Sequence, residues 1–147
     1  MTLPPWLNTD GTSFEPTLDD YGFIYEIAYD DGTKYVGKKN CWMREELPPL
    51  KSGKPRPHLV STVNRRSGGR IVIMEIVQKP SNWRSYTGSS KLTQGKTILS
   101  RTILATAPSK RYLTYLEVKA IMCLDALEDD TYLNENCMGK FFKGNLI

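Results

Sequence analysis

The stretch Tyr21-Gly-Phe-Ile-Tyr-Glu-Ile-Ala-Tyr29, then Asp30-Asp31-Gly32, then Thr33-Lys-Tyr-Val-Gly-Lys-Lys39 decides the fold. Phe23 to Tyr29 alternates aromatic or aliphatic residues with mixed ones, the period of a half-buried strand. Asp-Asp-Gly is a strong turn signal, so the unit reads as a β-hairpin with a tyrosine on each arm. Side chains alternate faces with period two, so the loop length decides whether Tyr25 and Tyr35 meet. A two-residue loop at Asp31-Gly32 pairs Tyr29 with Lys34 and sends the two tyrosines to opposite faces. A three-residue loop, Asp30 to Gly32, pairs Tyr29 with Thr33 and Ile27 with Tyr35. Tyr25 is then diagonal to Tyr35 on one face, roughly 7–8 Å away by Cα. Gly32 favours this second loop, whose third position is left-handed. Taken alone, both tyrosines also fit ordinary core positions whose hydroxyls find any partner.

A chain of 147 residues allows one compact domain, and 39% hydrophobic residues support a modest core. No apolar run reaches the roughly 18 residues of a membrane span, and the opening Met1-Thr-Leu-Pro-Pro reads as no signal peptide. A soluble, cytoplasmic chain without membrane partners is expected. Cys41, His58, Cys123 and Cys137 lack the short paired spacing of zinc ligands, and three scattered cysteines make no disulfide framework. Charge is uneven. Residues 38–70 hold nine Lys or Arg (Lys38, Lys39, Arg44, Lys51, Lys54, Arg56, Arg65, Arg66 and Arg70) against Glu45 and Glu46, a net +7, while the other 114 residues sum to −3. Such a segment is the electrostatic footprint of a phosphate-backbone binder, although charge runs are often only solvated surface. Its prolines and glycines predict a long irregular basic loop over 38–70.

Residues 1–20 read as an arm lying on a domain of 21–147, with Trp6, Leu7 and Phe14 as anchors. Arg70 to Val77 is a β run, Asn82 to Ser90 a turn-rich link, Leu92 to Leu99 a short helix broken by Gly95, and Thr97 to Thr106 a further strand. Ser109 is the expected N-cap of the one strong helix, about Lys110 to Leu127, whose apolar stripe includes Leu113, Leu116, Ala120, Cys123 and Leu127. Glu117 is the odd residue there. It projects beside the stripe with no Lys or Arg at i±3 or i±4, so it needs a distant partner, a metal or a water-filled cleft unless its head simply reaches solvent.

Phe23-Ile24-Tyr25, with Gly22 one position early, and Tyr35-Val36-Gly37 resemble the paired tripeptides that open the GIY-YIG nucleases. The link Trp83-Arg-Ser-Tyr-Thr-Gly-Ser-Ser-Lys91 resembles a segment of small freestanding phage-encoded, homing-endonuclease-like members of that family. The likeness runs from about Tyr21 to Asn136. It implies an α+β fold, a small GIY-YIG-type domain with a central three-stranded, mostly antiparallel sheet flanked by helices and carrying the basic loop as an insertion. It also implies a metal-binding glutamate on a downstream helix, where Glu117 stands, and a following asparagine, Asn134 before Asn136. The family's arginine, on a helix soon after the second tripeptide, maps to Arg44. Pro48-Pro49 leaves room for only one or two helical turns there, so Lys38, Lys39 or Arg84 are the substitutes.

By this resemblance the chain is a DNA endonuclease. Tyr25, helped by Tyr35, orients or deprotonates a water. Glu117 holds one Mg²⁺ or Mn²⁺ per active site, Arg44 or its substitute neutralises the phosphate, and Asn134 braces the site. The expected partner is double-stranded DNA, met as a monomer or dimer through Lys38, Lys39, Lys51, Lys54, Arg56, Arg65, Arg66, Arg70, Arg84, Ser89 and Ser90. Family members with long recognition sites carry an extra DNA-binding domain. This length leaves none, so specificity falls to the basic loop, the arm or a dimer. The rival readings are a catalytically inactive nucleic-acid-binding module of the same fold, and a structural or inhibitory protein that docks through the loop.

Overall fold

The computed structural model describes residues 2–146. In chain order its elements are β1 (Trp6–Asn8), β2 (Gly22–Tyr29), β3 (Lys34–Asn40), β4 (Trp42–Leu47), β5 (Leu59–Ser67), β6 (Arg70–Pro80), β7 (Ile98–Ala107), helix α1 (Lys110–Cys123), β8 (Asn136–Cys137) and β9 (Phe141–Phe142). They form two units, one of residues up to Cys41 together with those from Asn82 onward, the other of Trp42–Ser81.

The first unit is built on a sheet of order β1-β7-β2-β3, and its hairpin has the three-residue loop. Tyr29 N donates to Thr33 O at 2.9 Å and Gly32 N to Tyr29 O at 3.1 Å, with Gly32 at φ +86°. Ile27 therefore faces Tyr35, and Tyr25 faces Gly37. Strand β2 is central, and its alternation supplies both layers. Ile24 joins Val36, Leu113, Ile121 and Leu127 under α1. On the opposite face Phe23 meets Trp6 and Phe14 edge to face, with ring centroids 5.1 and 5.3 Å apart. Pairs of this geometry add about 0.5–1.5 kcal/mol each beyond their buried area. Gly22 lies where α1 crosses. A Cβ there would fall 2.6 Å from Leu113 Cδ2 and 2.6 Å from Lys39 O, so only glycine lets the helix seat.

Three expectations for this unit change. The sheet has four strands, because the arm contributes β1, which runs parallel to β7 with Trp6 opposite Arg101. Burial of Trp6 and Phe14 draws the arm into the aromatic layer. Among the described residues α1 is the one α-helix. The helix expected over Leu92–Leu99 is a single 3-10 turn, Lys91–Thr93, followed by Gly95 at φ +78°. Finally, α1 stops at Cys123 and not at Leu127. Asp125 turns left-handed at φ +51°, Asp125 N donates to Met122 O at 3.2 Å, and Ala126 N donates to Ile121 O at 3.0 Å. This Schellman ending lets Ala126 and Leu127 fold back into the core beneath the helix.

The second unit replaces most of the expected irregular basic loop with an antiparallel sheet of order β4-β6-β5. Gly68 and Gly69, at φ +57° and +81°, form a two-residue turn that pairs Ser67 with Arg70, and both positive angles suit a primed hairpin turn. Pro48, Pro49, Pro55 and Pro57 all fall between β4 and β5, where no ladder needs their missing N–H. That connection is tied down by Arg56, whose guanidinium donates to Pro48 O at 3.0 and 2.6 Å and whose backbone N donates to Glu75 at 3.2 Å. Among the described residues, no helix is long and apolar enough to cross a membrane.

Candidate active site

Tyr25 sits in the aromatic layer at 1% exposure. Its ring centroid lies 6.4 Å from Tyr35, as the diagonal register requires, and 5.8 Å from Tyr86. Burial pushes the Tyr25 phenol far above its ordinary range, with further upward pressure from Tyr86 and Tyr35, so it is held as a neutral hydrogen-bonding group. Burial also raises Tyr35, and Glu117 adds to that. The closeness depends on Gly37, where a Cβ would lie 2.6 Å from Tyr25 Cζ and still nearer its hydroxyl.

Tyr86 belongs to a turn fixed from two sides. Trp6 Nε1 donates to Trp83 O at 2.7 Å, and Arg101 Nη1 donates to Arg84 O and Tyr86 O, both at 2.9 Å. Arg101 is 4% exposed and stacks over Trp6 at 4.6 Å, with Nε on Pro4 O at 2.8 Å. Its hydrogen-bond partners are thus backbone carbonyls, and burial lowers its pKa. Lys39 Nζ lies 4.4 Å over the Tyr86 ring, half-buried, with its pKa lowered by desolvation. A cation therefore stands beside the tyrosine cluster in a poorly solvated place.

Strand β3 is the sheet's edge, so its other face opens toward α1 and the C-terminal segment. Lys38 Nζ accordingly points the other way from Lys39. It donates to Thr114 Oγ1 at 3.0 Å and lies 3.8 Å from Glu117 Oε1. Glu117, whose side chain is 24% exposed, has its pKa raised by desolvation, with Lys38 opposing the rise. Asn134 is buried and doubly bonded to one residue of the strand: Val36 N donates to Oδ1 at 3.1 Å and Nδ2 donates to Val36 O at 2.8 Å. The side-chain amide imitates a neighbouring strand and holds the backbone between Tyr35 and Gly37. Tyr35, Glu117, Asn134, Ser89 and Ser90 line one open cleft of about 590 Å³.

The structure thus brings together Tyr25, Tyr35, Lys38, Lys39, Glu117, Asn134, Ser89 and Ser90 in the first unit. Arg44 belongs to the second unit. The segment expected to carry a short helix is extended, and Arg44 lies exposed on β4 of the second unit, as do Lys51, Lys54, Arg65, Arg66 and Arg70 in that unit. Arg84 is stacked on Trp83 at 4.4 Å and clamped by Glu15 at 2.9 and 2.8 Å. Asn136 lines the same cleft but is exposed, and its Oδ1 accepts from Gly139 N at 3.0 Å. Tyr86 and Arg101 were missed as functional residues. Tyr86 had a signal in the Tyr-Thr-Gly-Ser-Ser run; Arg101 had none beyond being a cation inside an apolar strand.

Among the described residues no cluster of three or more His, Cys, Asp or Glu could hold a metal ion; Glu117 shares the cleft with one further carboxylate, the exposed Glu135. The family model described as "Putative endonuclease segE, GIY-YIG domain" matches residues 6–137. Comparison with curated proteins and with solved structures gave no match.

Proposed function

We propose a function from one premise, that the chain belongs to the SegE-type GIY-YIG endonuclease domain family, as the match over residues 6–137 shows. The activity is metal-dependent hydrolysis of DNA phosphodiester bonds. The observation that carries it is edge strand β3, whose residues 35–39 present Tyr35 and Lys39 beside Tyr25 and Tyr86, and Lys38 beside Glu117. Tyr25 and Tyr35 position the attacking water. Because Tyr25 is held neutral, its task is orientation, and proton abstraction by a phenolate is disfavoured. Lys39, half-buried and in the same unit, neutralises charge on the phosphate, the part for which the family resemblance puts Arg44 first. Asn134 fixes the Tyr35–Gly37 backbone, and Lys38 holds the Glu117 carboxylate in place.

Glu117 suits a hard divalent cation. It is an oxygen ligand, desolvated, facing an open cleft, and the Lys38 ammonium is 3.8 Å away. A single carboxylate leaves the remaining coordination to water and substrate oxygens, the habit of Mg²⁺. When bound, such an ion polarises the phosphate and steadies the departing oxygen. The test is nicking of supercoiled plasmid DNA by purified protein in Mg²⁺ and in EDTA. Nicking in Mg²⁺ that chelator removes is expected. Salt-sensitive binding without nicking would favour the inactive module of the same fold, and neither would leave the structural reading.

The second unit supplies phosphate affinity in this reading, but not through every cation assigned to it. Lys51 and Lys54 are exposed, and among the described residues their side chains have no partner. Each phosphate contact contributes about 0.9 to the slope of log affinity against log salt. Lys51→Ala with Lys54→Ala should therefore lower that slope by roughly two units, with turnover at saturating DNA unchanged. Arg56→Ala should instead lower the melting temperature, because it removes the guanidinium that ties down Pro48 O and lies 3.7 Å from buried Glu75, leaving that carboxylate only the backbone N–H. Titration calorimetry across salt concentrations and a thermal melt check both.

A further inference from the structure

We infer that the β5–β6 ribbon is a sequence-reading element that enters a nucleic-acid groove with Asn64, Arg66, Ile71 and Ile73 facing the bases. The inference rests on the DNA-directed reading above and goes beyond it. Residues 59–70, expected to contact phosphates non-specifically from an adaptable loop, instead form one strand and the Gly68-Gly69 turn of an antiparallel ribbon whose other strand is β6.

The register divides its side chains sharply. Asn64 pairs with Ile73 and Arg66 with Ile71, so these four share one face. Val63, Arg65, Val72 and Met74 share the other. Arg65 is neutralised there by Glu46 at 2.8 Å. Arg66 and Arg70 have no side-chain partner among the described residues. Near its root, the first face is covered where Arg56 reaches Glu75. Beyond that it is open, with Ile71 at 68% and Ile73 at 54% exposure.

Charge names the occupant. Trp42–Ser81 holds eight Lys or Arg against three Glu, a net +5, which leaves the rest of the chain at −1. An apolar surface beside one unpaired arginine, Arg66, and an asparagine, Asn64, does not suit a lipid or an acidic protein alone. It matches the edges of a major groove, which admits a two-stranded ribbon. Arginine there bonds guanine through a two-pronged contact, asparagine bonds adenine likewise, and apolar groups meet the thymine methyl. Alternate residues on a strand are about 6.7 Å apart, close to two base-pair steps of about 3.4 Å each. Asn64 and Arg66 are therefore spaced to read base pairs two steps apart.

The test selects bound sequences from a randomised duplex library in EDTA, so it needs no cleavage; plasmid nicking in Mg²⁺ is run separately and reports the catalytic reading by itself. Wild-type protein is expected to enrich a short motif. Asn64→Ala and Arg66→Ala should each relax one position of it, by about 5- to 150-fold in relative affinity, with circular dichroism unchanged. Arg66→Lys should relax it as Arg66→Ala does, since lysine keeps the charge and loses the fork. No enriched motif from the wild type overturns the proposal. So does an unchanged motif in the variants, or retention of the motif by Arg66→Lys, which would make Arg66 a phosphate contact. A monomer–dimer shift in Ile71→Ser with the motif intact would assign the face to a second copy and equally overturn it.

Discussion

Glu117→Gln is expected to abolish Mg²⁺-dependent nicking, leave DNA affinity within a few fold, and raise thermal stability. The first two outcomes follow from the assigned role: glutamine has nearly the shape of glutamate and lacks the charge that a hard cation needs. The third follows from burial. The folded-state pKa of Glu117 is raised, so the ionised group costs stability at neutral pH, a cost that disappears as pH falls below its ordinary value of 4.5. Removing the charge removes the cost. A loss of activity with a higher melting temperature marks a residue kept for chemistry against its structural interest. The same logic gives the pH dependence. Without metal the Glu117 carboxyl should titrate above the usual carboxylate range, and Lys38→Met should move it higher still, because Lys38 opposes the rise; a pH titration of the metal-free protein followed by NMR checks both. Undiminished nicking by Glu117→Gln would dismiss the metal site, and a lower melting temperature would show that the carboxylate is a structural partner.

How much of this was legible in the sequence depended on the range of the forces involved. The hairpin was legible because Asp30-Asp31-Gly32 fixes its own register locally, and the tyrosine pair follows from register alone. Glu117 stood out because a carboxylate beside an apolar stripe is conspicuous without any tertiary knowledge. Its partner Lys38 was not legible as such, since the two meet only when α1 packs on β3. The second unit was illegible for a different reason. Leu59–Ser67 has almost no apolar alternation, because neither of its faces is deeply buried, and its strand character comes from pairing with β6. Charge and proline content then argued for a loop. Arg65 and Arg66 illustrate the limit: adjacent and chemically identical, one is paired with Glu46 while the other has no side-chain partner among the described residues, and only the pleat distinguishes them. Likewise Trp6–Asn8 is too short to announce itself as a strand, yet it supplies the indole that fixes the Tyr86 turn.

Tyr25→Phe is expected to lose cleavage by about 10²-fold or more while the protein melts close to wild type. Only the hydroxyl goes; the ring keeps its contacts with Trp6 at 5.4 Å and with Tyr86 at 5.8 Å. Any hydrogen bond the hydroxyl makes is worth about 1 kcal/mol, small against a rate effect of that size. Gly37→Ala provides the contrast. Its new methyl would sit 2.6 Å from Tyr25 Cζ, and the ring, held on its other sides, has nowhere to retreat. Overpacking of this kind costs about 1–3 kcal/mol, so this variant should lose stability together with activity. The pair separates presence of the hydroxyl from its placement. If Tyr25→Phe cuts plasmid as fast as wild type, Tyr25 is a core tyrosine, Gly37 is small only to admit its ring, and the water-positioning group must be sought in Tyr35 or Tyr86.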